Sequence, residues 1–289
     1  MSTQWDAWIG RKELRKDVLS EARAARWLAT FDRQPSDTLP QGIHLCLCNP
    51  DAPSAKLGPD GHPSRDMSED SFMPPIPEDA MPRRMWASSK MRFHAAIGVG
   101  AQIERVSRIA SISEKSGSTG SLIFVNIEHE NRADGVRAVE ETQTLVYRAA
   151  AAPDAPLSPP ALGSDTFDPS EWDAHRVITP DPRLLFRFSA LTFNTHRIHY
   201  DVLYAEAEER YRGLVVHGPL TASLLLQLAA SELGENALKT FDFRGVSPAI
   251  ADEPLHLVMR QTEGEAGSEI ELGAFADDGR QVTAASASV

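Results

Sequence analysis

Basic charge is what this sequence lacks most. Its 289 residues hold 29 Lys and Arg against 41 Asp and Glu, a formal net charge of −12. No broad basic face is therefore expected for nucleic acid or an anionic membrane, although a local basic pocket for an anionic ligand is compatible with this balance. Long apolar runs are missing too: the stretch around Leu224–Leu226 falls far short of the roughly 18 residues that a membrane-spanning helix needs. The first residues, Met-Ser-Thr-Gln-Trp-Asp, include no basic segment followed by an apolar one, so no secretory signal is expected. Cysteine is scarce. Cys46 and Cys48 sit at alternate positions, awkward for a disulfide, and read as two buried thiols on one strand face in a reducing, cytoplasmic setting. The HxxxH and CxxC spacings of common zinc sites are absent, and no metal is expected, although His196, His199, Asp201 and distant His217 could in principle supply donors. A Gly-x4-Gly-Lys-Ser/Thr loop is also lacking, so Lys115–Gly120 reads as a hairpin turn.

What the chain does have is a globular composition, 42% hydrophobic and 24% charged, with a length suited to one large unit or two halves. The spacing of Leu14, Val18, Leu19, Ala22, Ala25 and Leu28 predicts a helix over 10–32. Residues 49–82, dense in Pro, Gly, Asp and Ser, predict a long irregular loop. Strands are expected at Met91–Ala96, Ala101–Ile112, Ser121–Glu130 and Ala138–Arg148, with Asp134-Gly135 as a hairpin turn. A Pro/Ala/Ser-rich linker follows at 151–171, dividing a first half (1–150) from a second (172–289).

The second half is expected to open with a strand at Leu184–Leu191 and a charged helix over Val202–Arg212. The stretch Leu220–Leu233 is apolar on nearly every side. It lies between Gly218-Pro219 and Gly234, and so predicts a helix buried almost all round. Four further strands end the chain, with Asp278-Gly279 as the last turn. Met91-Arg-Phe93 resembles Phe241-Asp-Phe243, a faint sign of duplication. Strand runs beside helices indicate α+β.

Two segments carry chemistry. Asn194-Thr-His196-Arg-Ile-His199-Tyr-Asp201 gathers imidazoles, an amide and a carboxylate within eight residues, which as helix-entry residues could simply be capping and solvated. Val216-His217-Gly218 precedes the buried helix, where unpaired N–H groups and the dipole could hold an oxygen that gains negative charge. Plain helix initiation would account for that segment alone.

Together the segments resemble MaoC-like, R-specific enoyl-CoA hydratases. Their D-x-N-P-x-H-x-D stretch is matched by Ile198-His199-Tyr-Asp201 and their V-H-G by Val216-His217-Gly218, but Asn194 stands at the family's Asp. The whole chain resembles the double-hot-dog subgroup of mesaconyl-C4-CoA and itaconyl-CoA hydratases and 3-hydroxyacyl-thioester dehydratases. The resemblance runs through Trp8-Ile-Gly-Arg11, Leu57-Gly-Pro-Asp-Gly-His-Pro63, Pro82-Arg-Arg-Met-Trp86, Lys115-Ser-Gly117, Leu145-Val-Tyr-Arg148 and Thr192–Asp201, and in this subgroup Asn rather than Asp is usual at the position of Asn194. It implies an α+β double hot-dog, each sheet wrapping a central helix, with a non-catalytic first half and a catalytic second half.

It also implies a hydro-lyase acting on an α,β-unsaturated acyl-CoA, a short branched or dicarboxylic C4–C5 one, with no cofactor beyond the CoA of the substrate. His199 would be the acid/base, Gly218 the oxyanion donor and Asn194 a hydrogen-bonding partner. His196, Arg197 and His217 would line the substrate site, with Arg197 for a substrate carboxylate. Arg83, Arg84 and Arg244 would meet the CoA phosphates and Trp86 would stack on adenine, or these would be solvated surface residues. A hot-dog thioesterase and a non-catalytic acyl-thioester-binding module are the alternatives. Whether the fused pair stays monomeric or forms a homodimer is open.

Overall fold

The computed structural model describes residues 4–34, 39–117, 120–264 and 267–289. β1 (Lys12–Val18) and α1 (Glu21–Thr30) open the chain. The helix expected over 10–32 thus divides. Lys12–Val18 alternates between exposed and half-buried, the period of an edge strand, and Ser20 caps α1 by accepting from Arg23 N–H. Cys46 and Cys48 are both buried. Cys46 ends a 3₁₀ turn (Ile43–Cys46) rather than lying on a strand, and Cys48 has φ +53°.

The loop from 49 to 82 is irregular apart from a short turn, as its composition requires. β2 (Arg83–Phe93), β3 (Gln102–Gly117), β4 (Gly120–Ala133) and β5 (Val136–Arg148) form the meander, and Asp134 and Gly135 turn the β4–β5 hairpin at positive φ. The tip of the β3–β4 turn, residues 118–119, lies outside the described residues.

β6 (Ala174–Ile178), which the sequence reading missed, begins the second half. The strand expected at Leu184–Leu191 is helix α2 (Pro182–Thr192). Asp181 caps it by accepting from Leu184 N–H, Pro182 occupies its first turn, and Leu185 and Phe188 bury one face. The charged helix is short, α3 (Val202–Ala207). α4 (Gly218–Leu233) is the long buried helix expected, with Leu220, Leu225, Leu226 and Leu228 in the core. Each such leucine contributes roughly 2 kcal/mol of burial. β7 (Thr240–Gly245), β8 (Leu255–Gly264), β9 (Gly267–Ala276) and β10 (Gln281–Ser288) complete the chain.

The strands make one antiparallel ten-stranded sheet in the order β1-β3-β4-β5-β2-β7-β10-β9-β8-β6. The order is symmetric about the β2–β7 pair, where Met91 sits opposite Phe241. The two similar segments are therefore partners across the centre of a double hot-dog. The halves differ in their helices: α4 fills the second, whereas the first holds α1 and the 3₁₀ turn at 43–46 in place of a long central helix. Trp27, Met91 and Ile103 from the first half share a core with α4. A separate cluster of Ile109, Ile123, Val125 and Tyr147 is covered by Trp5 and Ile76. Among the described residues no helix is long and apolar enough to cross a membrane.

Candidate active site

His199 ends a 3₁₀ turn (Arg197–His199) just before α3 and is 7% exposed. Its Nδ1 lies 2.7 Å from the Val215 carbonyl oxygen. A carbonyl only accepts, so Nδ1 carries the proton and Nε2 keeps a lone pair. Burial, followed by the nearby His217 and His196, holds this imidazole well below its usual range, so it is neutral near pH 7. The result is a fixed, uncharged base. Val215 pairs with Ile250, which ties the carbonyl to the rest of the fold.

The ring of His199 stacks on that of His217, with centroids 3.5 Å apart. His217 is the N-cap residue of α4 and is 1% exposed, with Nε2 2.8 Å from Ser189 Oγ on α2. Gly218 follows as the first residue of α4, and it is exposed. Its N–H points out of the helix with no intrahelical acceptor, at the positive end of the dipole. A Cβ on Gly218 would come within 3.9 Å of the Trp86 carbonyl, an ordinary contact that sets the α4 tip beside β2.

Two further imidazoles continue the row. His196 meets His199 edge-on at 5.5 Å, and its Nε2 is 2.8 Å from Glu209 Oε1. His62, from the loop of the first half, lies 4.1 Å from the His196 ring and bonds Asp60 through Nδ1 at 2.9 Å. Asp60, His62 and His196 bring ligand-type atoms within 4.8 Å of one another. His62 Nδ1 and His196 Nε2 are already engaged by Asp60 and Glu209.

The loop is held in register. Arg197 N–H donates to the Asp60 carbonyl, Arg197 Nη1 to the Pro59 carbonyl and Thr195 Oγ1 to the Gly61 carbonyl. Gly61 has φ +88°, and a Cβ there would stand 1.9 Å from the Thr195 oxygen. Arg65 ties the loop's end by donating to the Ile76, Pro77, Met81 and Pro82 carbonyls.

Beside this row is a cavity of about 660 Å³, lined by Asp60, His62, Arg65, Arg83, Arg84 and Arg197 among others. The arginines differ in what they are free to do. Arg83 is 6% exposed and is bound to the Glu209 backbone carbonyl, with the Glu209 carboxylate 3.9 Å away. Arg197 pairs with Asp201 and lies over the Tyr204 ring. Arg84 is half-buried and has no hydrogen bond or ion pair among the described residues, yet its charge reaches His62 and Arg65.

Asn194 is half-buried, its Oδ1 accepting from His196 N–H. Trp86 is half-buried with its indole N–H donated to Ser89 Oγ. Arg244 is exposed. Strand alternation puts it on the face of β7 opposite buried Phe243, away from the histidine row. The sequence reading gave no site role to Asp60, His62, Glu209 or Ser189. The composition of residues 58–62 indicates part of an irregular loop, and nothing in its spacing shows that the loop docks on residues 195–197.

A family model for hydroxyacyl-thioester dehydratase type 2 matches residues 42–251, which span the loop, the histidine row and α4. The chain belongs to this dehydratase family. Over its full length it is 41% identical to the mesaconyl-C(4)-CoA hydratase of Chloroflexus aurantiacus, covering 98% of that protein. Across 88% of its length it is 28% identical to the mitochondrial hydroxyacyl-thioester dehydratase type 2 of Schizosaccharomyces pombe, of which 92% is covered. Its fold matches the MaoC-like dehydratase of Phytophthora capsici at TM-score 0.69 and 12% identity, covering 99% of this chain and 98% of the other. Like its relatives, the chain is a hydro-lyase of the dehydratase family.

Proposed function

We propose that the protein reversibly hydrates an α,β-unsaturated acyl-CoA to the 3-hydroxyacyl-CoA, with His199 as the acid/base. The observation that carries this is the neutral His199 ring stacked on the residue that precedes the first free N–H of α4. The base thus stands one stacked ring away from the residue next to the oxyanion donor. In the forward direction His199 Nε2 takes a proton from water as the water oxygen bonds to the β-carbon. The π electrons move toward the thioester, whose oxygen accepts from Gly218 N–H. The enolate-like intermediate then gains a proton at the α-carbon, and His199 gives up the proton it took. An oxyanion donor of this kind is worth roughly 3–4 kcal/mol. Asn194 exchanges no proton near neutrality, and its Nδ2 amide is left to hold water or substrate.

The acyl group we assign is a short branched or dicarboxylic C4–C5 one, of the kind in mesaconyl-C4-CoA or itaconyl-CoA. Unpaired Arg84 in the cavity supports a substrate anion, and Arg197, which the sequence favoured for that role, is engaged by Asp201. The second half (172–289) carries the base, while the first (1–150) roofs the cavity through its 49–82 loop, with 151–171 joining them. No cofactor enters these steps. A panel of enoyl-CoA esters tests the assignment: loss of enoyl absorbance without free thiol is expected, whereas release of thiol would make the protein a thioesterase.

A further inference from the structure

His199 is gripped by two other imidazoles. His217 lies nearly parallel to its ring, and His196 meets it edge-on at 5.5 Å with planes 88° apart. The His196 carbonyl also accepts from the His199 backbone N–H. The hydration steps ask for no proton from His196, yet its ring is as firmly held as the base itself.

Glu209 does the holding. It lies in the turn after α3, where its backbone N–H and that of Tyr211 donate to the Tyr204 and Ala205 carbonyls. Its Oε1 is 2.8 Å from His196 Nε2, and a carboxylate oxygen only accepts, so Nε2 carries the hydrogen. Both side chains are buried. Turning the His196 ring would break this bond and leave a carboxylate without its partner out of water, so the ring has one favoured setting.

A buried carboxylate is costly and persists where several partners satisfy it. The second partner of Glu209 comes from the other half of the chain. Arg83, which pairs with Arg148 at the start of β2, donates to the Glu208 and Glu209 backbone carbonyls, and its Nε is 3.9 Å from Glu209 Oε2. Contacts therefore run without a break from the central sheet through Arg83, Glu209 and His196 to His199. A turn that merely closed α3 would need no acid buried against an imidazole.

On the hydratase assignment, we infer that Glu209 is a positioning residue for the base: it locks the His196 ring, and the locked ring fixes the setting of His199. Arg83 holds Glu209 in place from the first half. No proton leaves the Glu209–His196 pair, and Glu209 touches no reacting atom in this role.

A double-mutant cycle on the enoyl-CoA panel tests this. Glu209→Leu removes the acceptor, Glu209→Gln keeps an acceptor oxygen, and His196→Phe supplies a ring edge that needs no partner. A misplaced catalytic group costs up to about 100-fold in rate, so Glu209→Leu should lower kcat about 30-fold or more with KM within about threefold. Glu209→Gln should recover most of that loss. In the His196→Phe background Glu209→Leu should cost less than about twofold further, because the lock acts only through His196. This double variant leaves neither partner of the bond unsatisfied, so it reports even where Glu209→Leu alone fails to fold. With an active wild type, any of four results overturns this inference alone: Glu209→Leu at the wild-type rate, equal loss in the Gln and Leu variants, a rise in KM with kcat unchanged, or an undiminished loss in the His196→Phe background. A wild type inert on every ester overturns the hydratase assignment and this inference with it.

Discussion

The imidazoles of His199 and His217 stack 3.5 Å apart with planes 19° from parallel. His217 is itself held from behind by Ser189 on α2, so the base is braced against two helices. On the proposed mechanism His217 transfers no proton and instead braces the His199 ring. His217→Ala should therefore lower kcat about tenfold or more, and emptying so buried a position should cost about 2–3 kcal/mol of stability. Steady-state kinetics and urea unfolding check the two effects separately.

Among the described residues Arg84 lines the cavity with no hydrogen bond or ion pair. Replacing it with Met should raise KM at least tenfold for an acyl-CoA bearing a free carboxylate, with little change for crotonyl-CoA. A charged hydrogen bond is worth about 1.5–3 kcal/mol, which sets that scale. Equal loss on both esters would move the Arg84 contact to the CoA phosphates.

The loop over the site depends on Gly61. Its positive φ and the absence of room beside the Thr195 oxygen mean that Gly61→Ala must displace the loop. The expected outcome is a sharp rise in KM and faster proteolysis within residues 49–82, while the ten-stranded sheet, which the loop does not pair with, keeps its circular dichroism. Unchanged kinetics would dissociate the loop from the site.

Acid should weaken the fold earlier than usual. Burial drives His44, His62, His129 and His217 down to about 3, and His199 is well below its usual range. Their unfolded values lie near 6.5, so between about pH 6.5 and 3 the unfolded chain binds protons that the native one refuses. Stability is then complete above this window and falls with decreasing pH. Each histidine contributes up to about 1.4 kcal/mol per pH unit. Buried Glu141, whose carboxyl is pushed upward by burial, has the opposite sign and offsets part of the loss. Urea unfolding should show the fold less stable at pH 5.5 than at pH 7.5 by more than about 1.4 kcal/mol, the effect of one proton over one pH unit; equal stabilities would contradict this.

The sequence was most legible where local chemistry agrees with tertiary structure. Asp134-Gly135 turns its hairpin because both residues adopt positive φ, and α4 begins and ends where Gly218-Pro219 and Gly234 place it. The Met91 and Phe241 segments hinted at a duplication, and they are partners in the sheet. Misreadings arose where two periods compete. Leu14 and Val18 fit helical spacing, but Lys12–Val18 also alternates as an edge strand, and pairing with β3 decides it. At 182–192 the leucines and phenylalanines suggested a strand, although Asp181-Pro182 marks a helix start. His199 and Gly218 were legible through short motifs. His62 and Glu209 were not, because their closeness to His196 is created by loop docking that no spacing in the chain encodes.

The most direct test of the account is turnover of an enoyl-CoA by His199→Ala beside the wild type, with folding verified by circular dichroism. General acid/base catalysis by one residue is worth about 10²–10⁴ in rate. The account predicts a loss of at least that order, with acyl-CoA binding retained. A His199→Ala protein that hydrates at the wild-type rate would contradict it.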